Sequence, residues 1–252
     1  MLTVALALAL ALTFSKDLDD PVKKDIAMQL VSSAENSSLD WKAQYGYIEY
    51  NVEGNAQENR GYTGGIIGFT SRTHDMLEMV KYFNKIYPDN TLTPFIPALQ
   101  NVDGSSSAAG LGSKYVKAWK ALGADTHFRR AQDHERDRVY FNPSLALAKG
   151  DGLRALGQFA YYDAAVMHGF DGGLTIIRKA ALKKAKSPAQ GGNEKVYLSA
   201  FLDARKAEML KEQGHQDTTR VDTAQRKFLN RNNFDLDTPL DWRVYGDPYH
   251  IG

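Results

Sequence analysis

"LVSSAENSSLDWKAQYGYIEYNVEGNAQENRGYTGGIIGF", residues 30–69, changes its hydrophobic period in the middle and places carboxylates on both sides of the change. Its first residues close a helix expected over 20–34. Asp20 is a natural N-cap, Pro21 suits the first helical position, and Val22, Ile26, Ala27, Leu30, Val31 and Ala34 recur at helical spacing. Glu35 then falls in the last turn beside Val31, at the margin of the apolar arc, where burial and the helix dipole would both favour a protonated carboxyl. Past 38 the period shortens, and "YGYIEY" and "YTGGIIGF" predict short strands joined by a polar stretch, 51–59, that carries Glu53 and Glu58. A small β element set into a helical chain is the expectation.

Around this stretch the chain reads as mainly helical. A second helix is expected to open near Asp75, with Met76, Val80, Phe83 and Tyr87 on one face. The prolines, glycines and serines of "TPFIPALQNVDGSSSAAGLGS" mark a lobe junction or loop. The longest helix is expected to start near Asn142 and Pro143 and to run through "LRALGQFAYYDAAVMHG". There Asp163 sits near the centre of an apolar arc formed by Leu156, Phe159, Ala160, Val166 and Met167. A helix over 194–213 shows the opposite charge in the same situation, with Arg205 among Tyr197, Leu198, Ala200, Phe201 and Met209. Buried charges require partners, so Arg205 is a candidate partner for Asp163, either as a structural ion pair or as support for a site.

Bulk properties exclude several classes of function. Thirty-one basic against thirty acidic residues leave a formal net charge of +1, which argues against a general nucleic-acid binder. With no cysteine there is neither a disulfide nor a thiolate nucleophile, and the six histidines show no paired metal spacing. No metal and no cofactor are expected. "TGGIIG" lacks the lysine and helix start of a phosphate loop, and its glycines more simply permit close backbone approach. "DHERDR" reads as a solvated face of alternating charge. The leading "MLTVALALALALTFSK" is too short to span a bilayer comfortably and has the order of a secretory apolar region, although it lacks a basic start; an apolar N-terminal helix is the alternative. Residues 1–16 are thus set apart from a catalytic unit over 17–252.

Two carboxylates facing each other across a cleft, one on a helix end and one on a β element, are what glycoside hydrolysis needs. On spacing alone Glu35, Glu53 and Glu58 are equally well solvated surface acids. The motifs "LVSSAENSSLDWKAQY", "NRGYTGGIIGFTS", "ERDRVYF", "DGLRALGQFAYYDA", "FLDARKA", "TTRVDTAQR" and "YGDPY" closely resemble the bacterial chitosanases of glycoside hydrolase family 46, in the family's order and over nearly everything after residue 18. The resemblance implies a lysozyme-like, mainly α (α+β) fold of two lobes joined by a long helix, with a small sheet at the cleft. It also implies endo-hydrolysis of β-1,4-linked glucosamine in chitosan with inversion at the anomeric carbon, with chitosan and glucosamine oligosaccharides as substrates; the leading segment and the balanced charge add the expectation of a secreted, extracellular monomer without nucleic-acid or membrane partners. By motif, Glu35 matches the general acid. Arg60 and Thr63 match the residues that shape the water site, and Asp75 matches an acid that binds a glucosamine amino group. Asp163, Arg205 and Arg220 match a buried charge network behind the acid. The sequence departs from the family at the base: "ENRG" stands where D-G-R-G is expected, so Glu58 takes the position after a longer loop, with Glu53 of "VEGN" as its rival. Thr70 replaces the family's usual cysteine. A lysozyme-like muramidase and an inactive chitosan-binding protein are the alternative functions.

Overall fold

The computed structural model describes residues 17–52, 60–211 and 216–252. Helix α1 (Pro21–Glu35) begins where the sequence signals it: Asp20 accepts from the backbone N–H of Val22 at 3.1 Å and of Lys23 at 3.4 Å, satisfying donors that the first turn leaves open. A short 3-10 turn (Trp41–Gly46) leads into an antiparallel sheet of β1 (Ile48–Tyr50), β2 (Tyr62–Gly64) and β3 (Phe69–Thr70), with β2 central. Register sets Thr63 opposite Glu49 on one side and Thr70 on the other. The glycines after Thr63 permit a close approach. A side chain on Gly65 (φ 79°) would meet Gln132 Oε1 at 2.4 Å, and that amide ties the sheet to the helices by accepting from Ile66 N–H and donating to Tyr45 C=O.

Helix α2 (Asp75–Ile86) buries Met76, Met79, Val80 and Phe83, while Tyr87 lies past its end, exposed and stacked on His127. The first half of the stretch expected to be a loop or lobe junction forms helix α3 (Ile96–Val102), because Leu99 and Val102 are both about 1% exposed and packing overrides the prolines, one of which sits in the tolerated first turn, while 103–111 are turns and irregular structure as expected. Helices α4 (Gly112–Ala121) and α5 (Thr126–Arg136) complete this half.

The long helix differs from its expected course. Helical structure runs from α5 through a π segment (Asp137–Phe141) into α6 (Asn142–Gly150), so Pro143 lies inside the run. The π segment accommodates the hydrogen bond that a proline cannot donate. Nor does α6 continue into α7 (Ala155–His168). Gly152 (φ 76°) closes a Schellman turn in which Leu153 N–H reaches Ala148 C=O at 3.0 Å and Gly152 N–H reaches Lys149 C=O at 2.9 Å. "DHERDR", residues 133–138, lies where α5 passes into the π segment and is only in part a solvated face: Arg138 is exposed and Asp133, His134 and Asp137 are half-buried. Glu135 and Arg136 are each 3% exposed, and Arg136 is bound by Asp133 and Asp137 at 2.8 Å. The stretch is pinned because the helix passes here between two apolar clusters.

One cluster joins the sheet to α2–α5. The other joins α1, α6 and α7 to α8 (Thr175–Leu182), α9 (Glu194–Met209), α10 (Arg226–Asn230) and the hairpin β4 (Leu240–Val244)–β5 (Asp247–Ile251). Phe128 and Ala131 of the helical run belong to the first cluster and Phe141, Leu145 and Ala148 to the second, while Trp41, Tyr140 and Val166 pack against both. Helix α7 is buried from Ala155 to Ala165 on every side rather than along a single arc. Helix α9 stops at Met209, short of the expected 213. The apolar residues 1–16 lie outside the described residues, among which no helix is long and apolar enough to cross a membrane.

Candidate active site

Between the two clusters lies a cleft of about 880 Å³ whose lining includes Glu35, Arg60, Thr63, Asp75 and Arg220, five of the residues singled out from the sequence. Glu35 ends α1 at this cleft, and contrary to the expectation from its helical phase it is exposed. Its Oε1 accepts from Arg220 Nη1 at 2.8 Å, and Oε2 has no hydrogen bond among the described residues.

Behind Glu35 the charges are fully enclosed. Asp163 is 1% exposed and Arg205 0%; Arg220, on a π segment (Arg220–Gln225) preceding α10, is 4% exposed. Asp163 Oδ1 takes Arg220 Nη2 at 2.6 Å, and Oδ2 takes both Arg205 Nη1 and Gln225 Nε2 at 2.6 Å. Burial by itself would raise the Asp163 carboxyl, but the guanidiniums of Arg205 and Arg220 outweigh it and hold the group well below the usual carboxylate range. For Arg205 burial and the nearby Arg220 prevail, lowering it, whereas Asp163 and Glu35 together raise Arg220 against its own desolvation. Arg220 therefore links a buried anion to a cleft carboxylate. Gln225, in the quoted "TTRVDTAQR", was not singled out from the sequence.

Thr63, on the central strand, has its Oγ1 buried without a hydrogen-bond partner among the described residues. Asp75, at the start of α2, is 7% exposed and heavily bonded. Oδ1 accepts from Thr70 N–H, Thr73 Oγ1 and Met76 N–H, and Oδ2 from the Tyr140 hydroxyl at 2.9 Å. Burial raises its carboxyl although all four bonds favour the charged form. Glu53 and Glu58, the rival bases, lie outside the described residues. The residues flanking that segment, Val52 and Arg60, both line the cleft, and the Asn51 N–H bonds Gly61 C=O at 2.9 Å across its ends.

Tyr140, Asp171 and Tyr245 also border the cleft. Tyr140 and Tyr245 fall in quoted motifs, "ERDRVYF" and "YGDPY", but nothing in the local pattern marks them, because neither position belongs to a regular apolar face. Among the described residues no three His, Asp or Glu side chains gather as a metal site.

A mainly helical fold with a small sheet and a carboxylate at the mouth of a cleft, backed by buried arginines, fits a glycoside hydrolase, and the family match makes that the class. The chain matches the glycosyl hydrolase family 46 profile over residues 29–240 and belongs to that family. It is 60% identical over 237 residues to a chitosanase of Streptomyces sp. (strain N174), covering 93% of this chain and 84% of that one. It is 33% identical to a chitosanase of Bacillus subtilis (strain 168), covering 88% and 82%. Among solved structures, chitosanase OU01 co-crystallised with substrate superposes with a TM-score of 0.90 at 54% identity, covering 95% of this chain and all of that one. A family 80 chitosanase from Mitsuaria chitosanitabida, at 18% identity and a TM-score of 0.56 over 82% of this chain and 79% of that one, shares the fold.

Proposed function

We propose that the protein is an endo-acting chitosanase that hydrolyses β-1,4 bonds between glucosamine units with inversion, with Glu35 as general acid. The observation that carries this reading is the Glu35–Arg220–Asp163 chain, which clamps Oε1 of a carboxyl lining the cleft and leaves Oε2 without a hydrogen bond among the described residues, available to the glycosidic oxygen. Arg205 and Gln225 fix Asp163, so the clamp has little freedom to rotate, and a proton donor held in one position contributes more to the transition state than a mobile one.

Inversion also needs a carboxylate that activates water on the opposite face of the sugar. Glu58 is the base, with Glu53 as its competitor, and the cleft position of both flanking residues supports drawing the base from this segment. The unpartnered Thr63 hydroxyl is suited to hold the attacking water, with Arg60 beside it in the cleft. Asp75 binds a glucosamine ammonium through the remaining acceptor capacity of Oδ2, which has one protein donor where Oδ1 has three. The catalytic unit spans 17–252, acts as a monomer, and is secreted by means of the apolar residues 1–16. Reducing-sugar release from chitosan, compared with turbidity loss of bacterial cell walls, tests the substrate. Cleavage of the walls but not of chitosan would make the enzyme a muramidase, and binding of chitosan without hydrolysis would make it an inactive binder.

A further inference from the structure

Two of the cleft carboxylates are already engaged by the protein. Glu35 is tied to Arg220 through Oε1, and Asp75 accepts four protein hydrogen bonds in a buried setting. Asp171 is different. It lies in a π segment (Phe170–Leu174) between α7 and α8, lines the same cleft, and is exposed. No hydrogen bond or ion pair involves its carboxylate among the described residues.

The backbone that carries it is nevertheless fixed. Leu174 N–H reaches Gly169 C=O at 2.9 Å, the Asp171 carbonyl accepts from the Thr175 hydroxyl, and Leu174, 0% exposed, anchors the turn in the helical cluster. Asp171 is thus an anchored anion with no cationic partner among the described residues, on a wall built by the opposite cluster from the one that carries Asp75. A substrate with an ammonium group on every unit supplies the missing cation. An N-acetylated unit, being neutral, does not.

We infer that Asp171 is a substrate-binding carboxylate that accepts a glucosamine ammonium and selects for a deacetylated unit at its position. This rests on the chitosanase reading above and adds a specificity-determining residue to it. Such a contact is solvent-exposed, so its effect is modest and screened by salt.

The test uses Asp171→Asn and Asp171→Lys, each in the otherwise native protein for kinetics and on Glu35→Gln for binding, with the glucosamine hexamer as ligand. Asn is expected to raise KM and Kd about threefold, the scale of an exposed ion pair, and Lys about tenfold through added repulsion. The change falls in KM rather than in kcat, and a merely structural role would not produce that split. In 1 M salt, where the screening length is about 3 Å, the variants converge on the native protein. Unchanged KM and Kd in Asp171→Lys overturn the inference even if hydrolysis of the hexamer is normal. If the native protein fails to cleave the hexamer while Kd still depends on residue 171, the ammonium site stands and the hydrolytic reading falls.

Discussion

Replacing Arg205 by Ala removes a cation that is 0% exposed and takes two bonds from Asp163, one from Nη1 to Oδ2 at 2.6 Å and one from Nη2 to the Asp163 carbonyl at 3.3 Å. Asp163 keeps Arg220 and Gln225, each at 2.6 Å, so the anion is weakened but not stripped. Breaking a buried pair costs about 3–5 kcal/mol, and the surviving partners place the electrostatic loss near the lower end. The void left by the arginine stem adds to it. For a chain of this size about 2–4 °C of Tm is lost per kcal/mol, which gives a fall of about 6–20 °C. Turnover falls as well, because a loosened Asp163 no longer fixes the arginine that clamps Glu35. The sign of the pH dependence follows from Asp163. Its folded pKa lies below the usual 3.8, so the stabilisation is complete above that value and disappears as pH falls from there toward the depressed folded value. The gap between native and variant should accordingly be full near neutral pH and narrow in strong acid. Circular-dichroism melts across pH, with chitosan hydrolysis measured well below either Tm, provide the assay. A variant melting within about 2 °C of the native protein at pH 7 would refute the reasoning.

Glu35→Gln keeps the shape and can still accept from Arg220 but cannot deliver a proton, so hydrolysis should vanish while hexamer binding persists; activity within about tenfold of native sinks the acid assignment. Glu58→Gln should lower kcat by about two to four orders of magnitude and Glu53→Gln much less, and the reverse ranking in steady-state kinetics transfers the role of base to Glu53. Thr63→Val removes a hydroxyl that bonds nothing among the described residues, so Tm should hold while kcat falls by about a hundredfold through a misplaced water; parallel losses in both would make Thr63 structural.

Local chemistry carries much of this protein in the sequence alone. Asp20 and Pro21 start α1, the shift in period after 38 marks the sheet, and the apolar surroundings of Asp163 and Arg205 require that each charge meet a partner. These follow from spacing along a few turns, which the chain cannot alter without exposing apolar surface or stranding a charge. The course of the long helix did not follow from such patterns: Pro143 suggested a start, whereas the tertiary packing carries the helix through the proline and lets the Schellman turn at Gly152 end it. "DHERDR" looked solvated because alternating charge is ordinarily cheapest in water, and only the two clusters flanking it buried Glu135 and Arg136 while Arg138 stayed exposed. The exposure of Glu35 was likewise decided by what faces the end of α1. A helical wheel gives a residue's angle about its own axis, but whether that angle meets a core or a cleft depends on elements far away in the chain, here Arg220, 185 residues on.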